Sequence, residues 1–430
     1  MATKHLEASG VLYDDRRDFY IDPQVVKELW TDVAPFTTVV SNKETRQTND
    51  PVFKMFEHRN PWVKQQFALN SNPNNLPAGN DESDACTVTG ISHLADAADS
   101  SWLGLVCEVW DSTLTTKRGV VMITTATSNS AVKYKNLTDS AIDATTGDIF
   151  QVIGNARAEG DVAPDAWSDE LQVVFNSCQI FKTPLEITGT LLQAALRGES
   201  SELARLRSQK NQEHKMQKEK AFLFGTRVGG TDLAGADTFG DVGRTMSASG
   251  GLVRTTYGIL SAIEKYGAAS GDDQSRFTVD SAYTYSNFVD DMEKVFQYVP
   301  TSGVKRAFCG AGALGYWSKM AGSEGFAGGS GWTVNLSDMK RDTLGFNYKV
   351  LETPHGILQL IPTPALRGPY NKKMLVIDED NMFHAQYRSP MFQANIKTDN
   401  GYDGVKDQYF SDEGIGISLI ESHNLFTITA

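Results

Sequence analysis

The sequence predicts an α+β fold, and three observations carry that prediction. Residues Glu199 to Gly225 read as one long helix, Cys86 to Gly154 as a series of short strands, and the chain after Val253 as a mixed block that ends in strands. Strands before the long helix and strands at the C-terminus imply that the last strands return to pair with the earlier ones. A chain of 430 residues is long enough for about two or three domains, each with its own core.

Met1 to Gln47 is polar and reads as an arm, with one short helix from Pro23 to Trp30 started by Asp22 as cap and Pro23 in the first turn. Pro51 to Glu57 alternates apolar and charged residues, as a strand with one wet face does. After Trp62 the density of Asn, Pro, Gly and Asp between Asn70 and Asp84 makes a mobile loop. Strand candidates follow at Thr87 to Ile91, Leu103 to Trp110, Gly119 to Thr127 and Ala131 to Leu137, spaced like an inserted small β sandwich or barrel. A second polar loop after Gly160 leads to a β run from Leu171 to Thr190.

The long helix cannot be stable by itself. Met216 is the only apolar residue between Arg207 and Lys220, and charged and amide side chains wrap every side. Apolar residues sit only at the tips: Leu203 and Leu206 at the start, Phe222, Leu223 and Phe224 before Gly225. At about 1.5 Å per residue the helix runs roughly 40 Å. Both signs of charge occur around it, in Glu202, Arg205, Arg207, Lys210, Glu213, Lys215, Lys218 and Glu219, which fits pairing with other subunits. Each exposed pair would contribute only about 0.2 to 1 kcal/mol. His214, in the same helix, reads as solvated or paired across an interface.

Thr226 to Gly251 is a Gly-rich loop of uncommon length. Beyond it, helices are expected at Thr256 to Tyr266, Tyr283 to Phe296 and Ala311 to Met320, with a strand at Ala307 to Cys309. Strands then dominate, at Asn347 to Thr353, Gly356 to Thr363 and Lys373 to Asp378, and Gly414 to Ser422 alternates cleanly as another.

Composition and motifs exclude more than they assign. A net charge of -13 argues against tight nucleic-acid binding. Neither a signal peptide nor an apolar run near the roughly 20 residues of a membrane span occurs, so a soluble chain made in the cytoplasm is expected, with no membrane partner. The cysteines, Cys86, Cys107, Cys178 and Cys309, are scattered and read as buried thiols, not as a metal site. Gly310, Gly312 and Gly315 match GxGxxG after a strand and before a helix, with Asp338 downstream as a dinucleotide site would place it. The elements that follow are hairpin strands and not a Rossmann half, which favours a plain tight turn. No histidine pair has metal-ligand spacing, His355 reads as a turn residue, and no nucleophile elbow appears. Asp378, Glu379 and Asp380 could hold a cation but fit a charged turn at a strand end better. No catalytic, metal or cofactor residues are assigned.

Five segments resemble one family: Ile153 to Gly160, Asn176 to Thr190, Glu219 to Gly225, Thr353 to Gly368, and Tyr409 to Ile417. In this order they are similar to major capsid proteins of tailed bacteriophages with the Hong Kong 97 type fold. The resemblance implies an N-terminal arm over 1–47, an extended E-loop over 48–85 and 155–181, and a β domain inserted at 86–154. It implies a peripheral domain over 182–254 and 368–430 with the spine helix at 199–225, and an axial domain over 255–367. Such proteins are not enzymes. They assemble with themselves into pentamers and hexamers of an icosahedral virion shell, in the host bacterial cytoplasm. A separate scaffold, a portal and decoration proteins are the further partners, and the double-stranded DNA is enclosed without sequence-specific binding.

The assembly-interface candidates are Phe53, Phe56 and Trp62, together with the eight helix charges named above. The competing readings are a non-capsid phage structural or adhesion protein, with the β insertion as its binding end, and a dinucleotide enzyme built on Gly310.

Overall fold

The computed structural model describes residues 34–58, 66–71, 82–89, 102–128, 131–163, 171–194, 201–227, 245–246, 252–270, 273–298, 303–321, 340–342, 344, 346–396 and 403–429. The expected helix at 23–30, most of the loops at 70–84 and 226–251, and Asp338 lie outside them. The chain divides into a unit of residues 1–57 and 173–430 and a unit of residues 58–172. Among the described residues no helix is long and apolar enough to cross a membrane.

The first unit opens with α1 (Pro35–Lys43), β1 (Thr45–Gln47) and β2 (Val52–Glu57). The sequence reading had no helix at α1. Its Thr-Thr-Val-Val centre has poor intrinsic helix propensity, and burial of Phe36, Val39 and Val40 in the main core overrides that preference. β2 alternates as expected at Phe53 and Met55, which are buried, while Phe56 faces out.

The second unit is a six-stranded sheet ordered β4-β3-β8-β5-β6-β7. Its strands are β3 (Gln66–Leu69), β4 (Val88–Thr89), β5 (Leu105–Trp110), β6 (Lys117–Ala126), β7 (Val132–Asn136) and β8 (Ile149–Asn155). Period-two alternation in β6 and β7 puts Val121, Ile123, Val132 and Tyr134 on one buried face. Phe67 stacks on Phe150 there, with ring centroids 5.2 Å apart.

The first unit resumes with β9 (Gln172–Ser177), β10 (Gln179–Thr188), α2 (Gly189–Gln193) and α3 (Glu202–Phe224). After the short pair β11 (Thr245–Met246) and β12 (Leu252–Val253) come α4 (Ile259–Tyr266), β13 (Arg276–Val279), α5 (Tyr285–Val295), β14 (Val304–Cys309) and α6 (Ala311–Ala321). Strands follow: β15 (Lys340–Arg341), β16 (Asn347–Glu352), β17 (Ile357–Pro362), β18 (Lys373–Ile377), β19 (Met382–Gln393), β20 (Gly404–Ile417) and β21 (Asn424–Ile428).

Two sheets organise this unit. One is a mixed seven-stranded sheet ordered β13-β21-β18-β14-β17-β16-β15, in which β18 and the inner part of β14 are almost wholly buried, as central strands are. The other is ordered β1-β19-β20-β10, and here β20 pairs antiparallel with β10 from Gln179↔Glu413 to Thr188↔Gly404. The C-terminal strand thus returns to the strand before the long helix. The alternation from Gly414 to Ser422 does not continue as strand throughout. β20 stops at Ile417, because Leu419 takes a left-handed conformation (φ 47°) and donates its N–H to Glu57 Oε1 at 2.8 Å, opening a short 3-10 turn.

The glycine motif after β14 is a packing device. A Cβ on Gly310 would sit 2.2 Å from the Asn371 carbonyl oxygen. Asn371 already accepts from the helix N-terminus: its Oδ1 takes the Gly312 N–H at 2.9 Å and its backbone oxygen the Ala313 N–H at 3.1 Å. The donors that would cradle a pyrophosphate are therefore occupied.

Candidate assembly interface

α3 starts where Ser201 accepts from the Ala204 N–H and stops at Gly225. A Cβ on Gly225 would lie 2.5 Å from the carbonyl oxygens of both Ala221 and Thr256, so only glycine fits that close approach. Phe222 and Leu223 anchor the C-terminal end in the core. Met216, Ala221 and Phe224 also pack against that core, and from Arg207 to Lys218 the helix makes the polar contacts that follow.

Arg207, His214 and Lys218, seven and four residues apart, form one stripe along α3. The alternate residues Asp407, Tyr409, Ser411 and Glu413 form a matching stripe along β20. Arg207 Nη2 lies 2.7 Å from Asp407 Oδ2, and Tyr409 Oη donates to the Arg207 carbonyl at 3.1 Å. His214 sits 3.0 Å from Ser411 Oγ on one side of its ring and 3.0 Å from Thr183 Oγ1 on the other. Lys218 Nζ is 3.1 Å from Glu413 Oε2, and His384 Nε2 approaches the same oxygen at 3.5 Å. Helix and strand run in the same sense, and roughly 16 Å of helix meets roughly 20 Å of strand.

Burial shapes the protonation of this layer. It pushes the His214 pKa down to about 4, assisted by the nearby Lys218 charge, so the ring is neutral near pH 7. Burial pushes Glu413 upward, but His384 and Lys218 outweigh it and hold the carboxyl below its ordinary range. Asp407 and Glu413 are fully buried and their cations partly exposed, so each acid depends on the helix for its counter-charge.

The interface candidates divide into inward and outward sets. Phe53 is buried, with its ring 5.9 Å from Phe383. Glu219 is also interior: Oε1 accepts the Phe36 N–H at 3.0 Å, and Oε2 accepts the Thr37 N–H at 2.7 Å and the Thr37 hydroxyl at 2.6 Å. It caps α1, whose own N-cap position, Ala34, has no side chain able to do so. His214 is neither solvated nor at an outer surface. Arg207 and Lys218 are engaged within the chain.

The other charges pair along the helix itself, Glu202 with Arg205 and Lys210 with Glu213 at 2.7 Å, all four half-buried, while Lys215 is exposed. Phe56 is 72% exposed. Trp62 lies outside the described residues.

The acidic turn is a charge-paired corner. Glu379 meets Arg306 at 3.0 Å and Asp380 meets Lys43 at 2.7 Å, while Asp378 accepts from the Asp380 N–H. Among the described residues no cluster suits a metal ion. The four cysteines are buried and unpaired. The buried acids of β20 escaped the sequence reading. Their signal is the alternation in DQYFSDE, visible only once the helix stripe 207, 214 and 218 is laid beside it.

The profile of the SU10 major capsid protein family matches residues 30–417. No curated protein matches the sequence. Among solved structures, similarity extends to the capsid of an empty GTA particle, with a TM-score of 0.49, 10% identity and 99% of each chain covered. The capsid of a native GTA particle gives 0.48, 9% and 99% of each chain, and Microbacterium phage Oxtober96 gives 0.43, 9% and 97% of each chain. The family match runs from before α1 to the end of β20 and so takes in both units; the chain belongs to the SU10 major capsid protein family, has an α+β fold, and is a shell-forming structural protein of a virion and not an enzyme.

Proposed function

We propose that copies of this chain form rings of five and six that close into an icosahedral shell around the double-stranded DNA of a tailed phage. A scaffold, a portal and decoration proteins join it, in the host bacterial cytoplasm. In this reading residues 1–47 are an arm, 48–85 and 155–181 an extended loop carrying the inserted β domain at 86–154, and 255–367 the axial domain. Residues 182–254 and 368–430 form the peripheral domain around α3.

The observation that carries this reading is Phe56, an aromatic 72% exposed on a strand whose neighbours Met55 and Glu57 are buried. Burying such a side chain contributes roughly 1.5 to 3 kcal/mol, and a repeated shell multiplies that contribution. Trp62, the half-buried Glu202, Arg205, Lys210 and Glu213, and the exposed Lys215 complete the proposed contact. Electron microscopy of the chain co-expressed with its scaffold and portal should show closed shells or rings. A compact monomer in sedimentation under those conditions would overturn the reading.

A further inference from the structure

We propose that the β1-β19-β20-β10 sheet is closed to strand addition at both edges by proline, so that copies of this chain can meet at high density through side chains without pairing their strands. The inference rests on the sheet alone and not on the arrangement of the shell.

β10 is an edge strand of ten residues whose partner in the sheet is β20. Its alternate residues Ile180, Lys182, Pro184, Glu186 and Thr188 are all exposed. A strand this long and open is a ready template for another copy. The β10–β20 register runs from Gln179 to Thr188 without a shift. A proline can sit in so regular a ladder only with its missing N–H on the outer side. Because N–H groups alternate between the two edges of a strand, the outer row is that of residues 180, 182, 184, 186 and 188. Pro184 removes the donor at its centre.

The opposite edge has the same construction. β1 covers β19 at His384, Ala385 and Gln386, and the following residues, Tyr387 to Gln393, are exposed or nearly so among the described residues. Over that stretch the pairing of β19 with β20 is interrupted by register shifts between Gln386 and Arg388 and between Arg388 and Met391, and Pro390 lies within the second. Irregularity, proline and the partly exposed Arg388 each discourage strand pairing. Tyr387, Met391 and Phe392 nevertheless remain about two-fifths exposed and able to make side-chain contacts.

The test restores the missing donors in the full-length chain. Pro184→Thr and Pro184→Ala both return an N–H to the outer row, one with high and one with low strand propensity, and Pro390→Thr restores an N–H within the irregular stretch of β19. Lys182→Thr raises strand propensity on the same edge without adding a donor and serves as the control. At one concentration, well below each variant's melting temperature, both Pro184 variants should give a several-fold rise in thioflavin-binding, sedimentable material outside particles, and Lys182→Thr should not. The proposal is overturned if the proline variants stay as clean as the parent, if Lys182→Thr aggregates equally, or if the material forms only on heating into the unfolding transition.

Discussion

At the residue scale the clearest case is a neutral histidine inside a charged layer. His214 has its folded pKa lowered to about 4 from the ordinary 6.5. The unfolded chain then binds more protons than the folded one between those values, so stability is fully present above about pH 6.5 and falls as the pH drops toward 4. For this residue alone the loss is at most about 3 kcal/mol. His423, pushed down to about 3 by burial and the Lys305 charge, acts in the same direction. His214→Gln should therefore flatten, but not abolish, the fall in melting temperature between pH 7 and pH 4.5. A second expectation concerns Glu219, both of whose carboxylate oxygens are engaged at the start of α1. Glu219→Ala leaves the Phe36 and Thr37 N–H groups without their acceptor and should cost about 2 to 4 kcal/mol in denaturant unfolding. Its signature is early loss of amide protection in α1. The sequence marked Glu219 only as one charge among eight, because nothing local shows that the N-terminus of another helix, more than 180 positions away, lies against it.

At the scale of elements, α3 is a helix seated mainly by polar complementarity, with its apolar contacts gathered at one end. Removing one member of a buried ion pair leaves an uncompensated charge, whereas removing both can be nearly neutral. Lys218→Met should lower stability by about 3 kcal/mol, and the double variant Lys218→Met with Glu413→Leu should recover much of that loss in a double-mutant cycle. A double variant no better than the single one would mean that the layer's other members, His384 above all, depend on Glu413. The helix itself was legible, as 199–225, from its polar run and its Gly225 stop, whereas its start at the Ser201 cap was not. Its register on β20 was not, because that register is set by pairs such as Arg207 with Asp407, 200 positions apart in the chain.

At the scale of the whole molecule, the chain separates charges that maintain its own fold from charges available to others. Lys215 is exposed and belongs to the second class. Lys215→Glu should leave the stability of the unassembled chain within about 0.5 kcal/mol of the parent's in denaturant unfolding while lowering the yield of particles. Equal yield would remove that residue from the proposed contact.

What the sequence determined by itself was the set of elements. Alternation marked most of the strands, Gly225 marked the end of α3, and the order of segments pointed to a capsid fold. These are local signals, written in residues a few positions apart. The tertiary structure alone decided which of those side chains face inward. Phe53 and Phe56 sit three residues apart in one short strand, yet one is core and the other surface. Glu219 and Lys215 are four apart in one helix, yet one caps α1 and the other meets solvent. α1 exists as a helix because the core and Glu219 hold it, against the preference of its own residues. The long polar helix could be recognised from its composition, but its partners could not, since burial and counter-charge belong to pairs of segments and no single segment carries both halves.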